Sequence, residues 1–218
     1  MRISITSKII SIIIFSVIIS ALTVAISSHV SFKNGYIAEY EHSIIAYKNV
    51  IADNIDIVRK QSISQAQAQS IRPNVIEGVA TGNVNQLSSL CEDMTKVGQL
   101  NTVIFTDIKG NILASTGDVV DLKAAVHQRQ VKLMAGGELV GFVADAGSRL
   151  PLLASVPIQK DGNIVGGVTI AVDLAAQNTL VDKLKNMLNV EATLFSGATR
   201  LSSTILENGR RVIGTTIT

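Results

Sequence analysis

Residues 9–28 read IISIIIFSVIISALTVAISS and contain no charged side chain. Twenty helical residues extend about 30 Å, the thickness of a bilayer's hydrocarbon core. A cleaved signal peptide would have a shorter apolar run, about 7–15 residues, ending at a small-residue cleavage site. This run is longer, rich in β-branched residues, and continues into a polar helical pattern. It therefore reads as an uncleaved signal anchor. Arg2 and Lys8 precede it, which places residues 1–8 in the cytoplasm and exports the rest. Much of the chain's mean hydropathy of +0.37 sits in this run.

Between residues 29 and 71 there is no proline, and Gly35 is the only glycine. Ile37, Tyr40, Ile44, Tyr47, Ile51, Ile55 and Val58 fall at steps of three and four, a heptad-like stripe. The spacing predicts one long helix over 29–72, ending just before Pro73. At about 1.5 Å per residue it would reach about 60 Å from the membrane. The stripe suits packing on the chain's own domain and against a second copy, so a homodimer is expected.

After Pro73 the pattern shortens. Leu87, Leu90, Cys91, Met94 and Val97 share one helical face, with Asn83 or Asn85 placed to cap it and an end near Gly98. Cys91 is the only cysteine, which excludes an intrachain disulfide. It reads as a small buried hydrophobe. Residues 101–116, NTVIFTDIKGNILAST, are a β-hairpin turning at Lys109-Gly110-Asn111. Residues 118–134 return to helical spacing through Leu122, Val126 and Leu133, and Gly136-Gly137 ends them. Strands are expected at 138–144, 150–159 and 163–173. The turn Lys160-Asp161-Gly162-Asn163 joins the last two. Pro151 and Pro157 belong at strand ends, an edge or a bulge. A helix over 175–188 follows, then two or three strands with an Asn208-Gly209 turn. A terminal strand with no partner would leave an open edge, so the sequence is expected to continue. Five antiparallel strands with helices between the second and third give an α+β, PAS-like layout.

Chemistry is sparse. The net charge is +2 and aromatics are 4%, with no basic patch interleaved with aromatics, so nucleic acid is not an expected partner. No catalytic or phosphate-binding motif is present, and His29, His42 and His127 lack metal-ligand spacing. No cofactor is expected and an enzyme is not. Asp107 and Asp173 read as turn-stabilising residues rather than as a catalytic pair.

The stretches NTVIFTDIKGNILAST, RLPLLASVPIQKDGNIVGGVTIAVDL and TLFSGATRLSSTILENGRRVIGTTI, in that order behind an anchor helix, resemble the extracytoplasmic Cache sensor regions of bacterial methyl-accepting chemotaxis proteins. The third stretch resembles the start of the second module in tandem Cache receptors. The resemblance covers roughly residues 30–218. It implies a cytoplasmic tail at 1–8, a transmembrane helix at 9–28, a long helix at 29–72, a sensor module at 73–174, and an incomplete second module at 175–218. It also implies a periplasmic receptor in the bacterial inner membrane, truncated before a second transmembrane helix. Its ligand would be small, an organic acid or an amino acid, bound between the sheet and the inserted helix. By position, His127, Arg129 and Lys132 on that helix and Arg149, Ser155 and Asp173 on the following strands line such a site. Arg129 and Arg149 suit a carboxylate, because a guanidinium donates two parallel hydrogen bonds. Asp173 suits a ligand amine.

The same input module resembles those of sensor histidine kinases and cyclic-dinucleotide enzymes. A pilin-like subunit is the structural alternative, but the apolar run has neither Glu nor Gly, which pilins carry there. An anchored periplasmic enzyme would need a site the sequence does not offer.

Overall fold

A computed structural model describes residues 5–96, 102–117, 119–135, 137–142 and 149–217; the side chains of 5–19, Ala21, 34–36, Ala38, Thr95, Lys96 and Val131 lie outside that set. Helix α1 spans Ile5–Ser70. Contacts divide the chain into two units, Met1–Val50 and Ile51–Thr218. The expected membrane span at 9–28 falls within α1, where most of its side chains are outside the described residues. Among the described residues no helix is long and apolar enough to cross a membrane. In the first unit Ile37, Tyr40 and Ile44 of the heptad-like stripe are exposed.

The second unit is built on a five-stranded antiparallel sheet of order β2-β1-β5-β4-β3. Its strands are β1 (Thr102–Asp107), β2 (Ile112–Ser115), β3 (Leu139–Phe142), β4 (Pro151–Lys160) and β5 (Asn163–Asp173). The two hairpins of similar sequence meet at the centre, where β1 pairs with β5 from Thr102↔Ala171 to Asp107↔Gly166. Their turns have the expected backbone. Asp161 and Gly162 both have positive φ (52° and 81°), the primed turn that matches strand twist. In the first hairpin, Asp107 Oδ1 accepts the amides of Lys109 and Asn111, each at 2.8 Å. Partial burial pushes the Asp107 carboxyl up, but hydrogen bonds from Asn111 and Lys109 outweigh it and hold the group below its usual range. Pro157 pairs with Gly167 of β5, beyond the reach of β3, which covers only Leu152 to Ser155. Its missing N–H therefore interrupts no bond to β3.

The alternation of β-strands gives the sheet two different faces. One carries Val103, Phe105, Val156, Ile158, Val168 and Ile170. Helices α2 (Pro73–Thr81) and α3 (Val84–Lys96) cover it with Val75, Val79, Leu87, Cys91 and Met94, and Ala66 of α1 joins them. Asn83 caps α3, its Oδ1 accepting the Gln86 amide at 3.1 Å. Each of the fully buried large residues contributes about 1.5–3 kcal/mol by leaving water. The other face carries Ile104, Leu153 and Ala171 beneath Val119, Leu122 and Val126. Those last residues belong to a 3₁₀ turn, Val120–Leu122, and to helix α4, Lys123–Leu133, and their flank.

Cys91 behaves as its position requires. Burial pushes its thiol from the usual 9.0 up to about 11, so the nucleophilic thiolate is scarce near neutral pH. Iodoacetamide should leave native Cys91 unmodified near neutral pH and label it fully after unfolding, as read by intact mass. Rapid labelling of the native protein would contradict this burial.

After β5 the chain makes a second 3₁₀ turn, Ala176–Asn178, then α5, Thr179–Leu188. Two small hairpins follow: β6 (Thr193–Ser196) with β7 (Thr199–Ser203), and β8 (Leu206–Glu207) with β9 (Arg210–Arg211). Asn208 and Gly209 form the expected turn, both at positive φ.

Candidate functional site

Helix α4 lies over the polar part of the second sheet face. Its inward stripe runs Leu122, Val126, Gln130 and Leu133, all buried. Gln130 is the exception in an apolar series, and the structure explains it. Gly167 of β5 sits directly below, so close that an added Cβ would stand 2.6 Å from Gln130 Oε1 and 3.1 Å from Leu133 Cδ1. Thr106 of β1 donates to Gln130 Oε1 at 3.1 Å, and the Gly167 carbonyl lies 3.2 Å from the same hydroxyl. Beside this pair, Ser155 of β4 and Thr169 of β5 face each other in register and share a 2.8 Å hydrogen bond. Thr106, Gln130, Ser155 and Thr169 are at most 2% exposed. Buried polar groups must be satisfied, and here they satisfy one another.

Arg129, the neighbour of Gln130, donates from Nη1 to the Leu139 carbonyl (3.2 Å) and from Nη2 to the Gly141 carbonyl (3.1 Å). These residues of β3 are two apart, so the planar fork meets both at once. Leu139 pairs with Ser155 across β3–β4, so the fork grips the strand next to the one that carries Ser155. Burial lowers the Arg129 pKa, yet an arginine remains cationic at physiological pH. Among the described residues no carboxylate forms a salt bridge with it. A half-buried cation held, among the described residues, by neutral carbonyls is a site where an anion would bind favourably.

The structure thus ties Arg129 to β3 and puts Ser155 on the adjacent β4, with Thr106, Gln130 and Thr169, which the sequence reading did not include, buried between α4 and the sheet. The other expected residues lie elsewhere. His127 is exposed and packs against the β1–β2 turn, where a Cβ on Gly110 would stand 2.9 Å from its Nδ1. Lys132 is exposed on α4. Arg149 pairs with Asp121 of the 3₁₀ turn at 3.3 Å. Asp173 Oδ1 accepts the amides of Leu150 and Ala175, each at 3.0 Å. Arg149 and Asp173 therefore have separate partners, although both lie near the start of β4 and the end of β5. Asp107 and Asp173 lie toward opposite ends of β5 and do not form a pair.

A separate, solvent-open depression lies at β8–β9, lined by Glu207, Asn208, Arg210, Arg211, Val212, Ile213 and Thr215. Its arginine chemistry is largely committed. Arg211 forks onto Asp182 of α5 at 2.8 and 3.0 Å and also donates to the Ser203 carbonyl.

Residues 172–218 match the model of a family described as single Cache domain 3. That segment begins in β5 and takes in α5 and the small hairpins. Among solved structures, the chain is similar to the sensor domain of the histidine kinase DctB of Vibrio cholerae, with 12% identity and a TM-score of 0.53. That match covers 79% of this chain and 68% of the other. It is also similar to the periplasmic domain of Vibrio cholerae LuxQ, with 15% identity, a TM-score of 0.50, and coverage of 74% of this chain and 77% of that one. No curated protein matches the sequence. At such identities the likeness establishes the fold: helices on a PAS-like antiparallel sheet, as in Cache sensor domains.

Proposed function

We propose that residues 73–174 form an extracytoplasmic sensor module that binds a small anion beneath α4, an organic acid or an amino acid. The observation that carries this reading is Arg129, a half-buried guanidinium held by two neutral carbonyls of β3, on the same helix as Gln130, which meets the buried Thr106 hydroxyl. A ligand carboxylate would take charge-assisted bonds from the fork, roughly twice as strong as the neutral bonds it now makes. Ser155, Thr169, Thr106 and Gln130 would donate to or accept from the rest of the ligand. Arg149 and Asp173 would receive its far end, Asp173 an amine if the ligand is an amino acid; His127 and Lys132 would border the helix side.

The ligand transmits a signal only if its affinity differs between two arrangements of the protein. A carboxylate that drew the Arg129 fork away from the Leu139 and Gly141 carbonyls would supply such a difference by loosening β3. Residues 9–28 would anchor the module, as their uncharged run suggests, and α1 would carry its state toward the membrane. The exposed stripe of Ile37, Tyr40 and Ile44 suits a second copy of the same helix. A chemoreceptor is the reading we prefer for the whole. A sensor histidine kinase is the alternative, favoured by the likeness to the DctB sensor domain.

Thermal melting against a panel of dicarboxylates, hydroxy acids and amino acids tests the binding function. A ligand at about a hundredfold its Kd should stabilise the fold by about 2.7 kcal/mol, a rise of several degrees. No rise with any of them overturns the anionic-ligand reading. Equal affinity of wild type and Arg149→Ala for an acid that binds would remove Arg149 from the site.

A further inference from the structure

The joint between α1 and α5 rests on an unusual acceptor. Asn54 of α1 is only 4% exposed, yet its side-chain Nδ2 donates to the sulfur of Met187 on α5, 3.7 Å away. The two residues are 133 apart in sequence, so the contact ties the long helix to the segment after the main sheet. Met187 itself is 54% exposed, while Val181 and Leu184 of the same helix are buried. A thioether is a weak acceptor, and an exposed one is oxidisable. Among the described residues the most exposed methionine thus accepts the amide of a buried polar residue on α1.

We propose that Met187 is a reversible sulfoxidation site that sets how firmly α5 is held to α1. The oxidant is a peroxide. A sulfur lone pair attacks one peroxide oxygen, the O–O bond breaks, and the departing oxygen leaves as water after proton transfer. Sulfur loses two electrons and the peroxide gains them. The product places an S=O oxygen, a strong acceptor, where the thioether was. The Asn54 amide then makes an ordinary N–H···O bond in place of a weak N–H···S one, and α5 is tied more firmly to α1. A dithiol reductant of the sulfoxide-reductase class returns the thioether and the looser joint. Met134 is also partly exposed, at 40%, and its sulfur lies 4.0 Å from Gln130 Nε2, but that contact stays within one helix and its flank. Its oxidation would not change the joint between α1 and α5.

The test uses the 218-residue chain, hydrogen peroxide, peptide mapping and the NMR signals of the Asn54 side-chain amide. Met187 should oxidise at least about tenfold faster than Met94, which is 5% exposed. As it does, the Asn54 amide protons should move downfield and exchange about fivefold more slowly, the effect of replacing a weak bond with an ordinary one. In Met187→Leu the same peroxide treatment should leave Asn54 unchanged, although Met134 is still oxidised. The proposal is overturned if Met187 oxidises no faster than Met94. It is overturned equally if full oxidation of Met187 leaves the Asn54 amide unmoved, or if Met187→Leu shows the same change.

Discussion

Gly166→Ala should be the most destabilising single methyl addition in the sheet. A Cβ there would lie 2.5 Å from Val79 Cγ1 of α2 and closer still to the Thr106 carbonyl oxygen of β1. A backbone oxygen cannot rotate aside as a side-chain end can, so β1 or β5 must shift and the central pairing opens. Overpacking of this kind costs about 3 kcal/mol or more where the backbone blocks relief. For a unit of this size that lowers the melting temperature by about 6–12 °C. Gly78→Ala is the internal comparison. Its Cβ would meet side chains and no backbone, Leu87 Cδ2 at 2.8 Å, Leu87 Cγ at 3.0 Å and Gln86 Cδ at 3.7 Å, and alanine gains about 1 kcal/mol of helix propensity inside α2. A calorimetric melt should therefore find Gly78→Ala close to wild type and Gly166→Ala far below it. Equal melting of the two variants would mean that the sheet does not approach α2 as described.

Arg129→Ala should have the second largest effect, and a local one. It removes both donors from the Leu139 and Gly141 carbonyls. Leaving such groups without their partner costs about 1–3 kcal/mol each, lessened where water reaches β3. Four-residue β3 is bound to the sheet only through β4, so it should loosen first. Hydrogen exchange should quicken at Leu139–Phe142 while the amides of β1 and β5 stay protected. Arg129→Lys keeps the charge but can serve only one carbonyl well, so its effect should be intermediate. Unchanged exchange at β3 in Arg129→Ala would remove the clamp from this account.

The sheet was legible in the sequence because its signals are local. Alternation, the Lys-Gly-Asn and Asp-Gly turns and the proline positions each depend on a few neighbouring residues, and β5 falls on the expected 163–173. The inserted helix was legible for the same reason, through Leu122, Val126 and Leu133. Gln130 on that stripe is a readable sign of a polar floor below it. The expected helix over 175–188 is shorter, α5 starting at Thr179. Gln177 and Asn178 both adopt positive φ, and Asn178 Oδ1 accepts the Ser202 hydroxyl at 2.7 Å. A partner 24 residues away stabilises that entry, and no local pattern announces it.

The long helix shows the opposite limit. Its apolar stripe drew attention, yet the residues it buries in the second unit are Asn54, Ser62 and Ala66. Small or amide side chains at steps of four and eight let a helix sit close to its neighbours, and Ser62 is satisfied within the helix by the Val58 carbonyl. Hydrophobic periodicity does not register such a seam. In the candidate site the residue types were readable but their partners were not. Arg129 is legible as a candidate carboxylate anchor but its β3 partners are not, and Arg149 cannot be matched with Asp121 from sequence distance.

The most direct test of the central claim is a calorimetric titration of the chain with the acid that most raises its melting temperature, in wild type, Arg129→Lys and Arg129→Ala. Loss of a charged hydrogen-bond partner should weaken binding about tenfold to a hundredfold in Arg129→Ala, with Arg129→Lys in between. Equal Kd in all three, with the fold intact, would contradict a ligand anchored by Arg129 beneath α4.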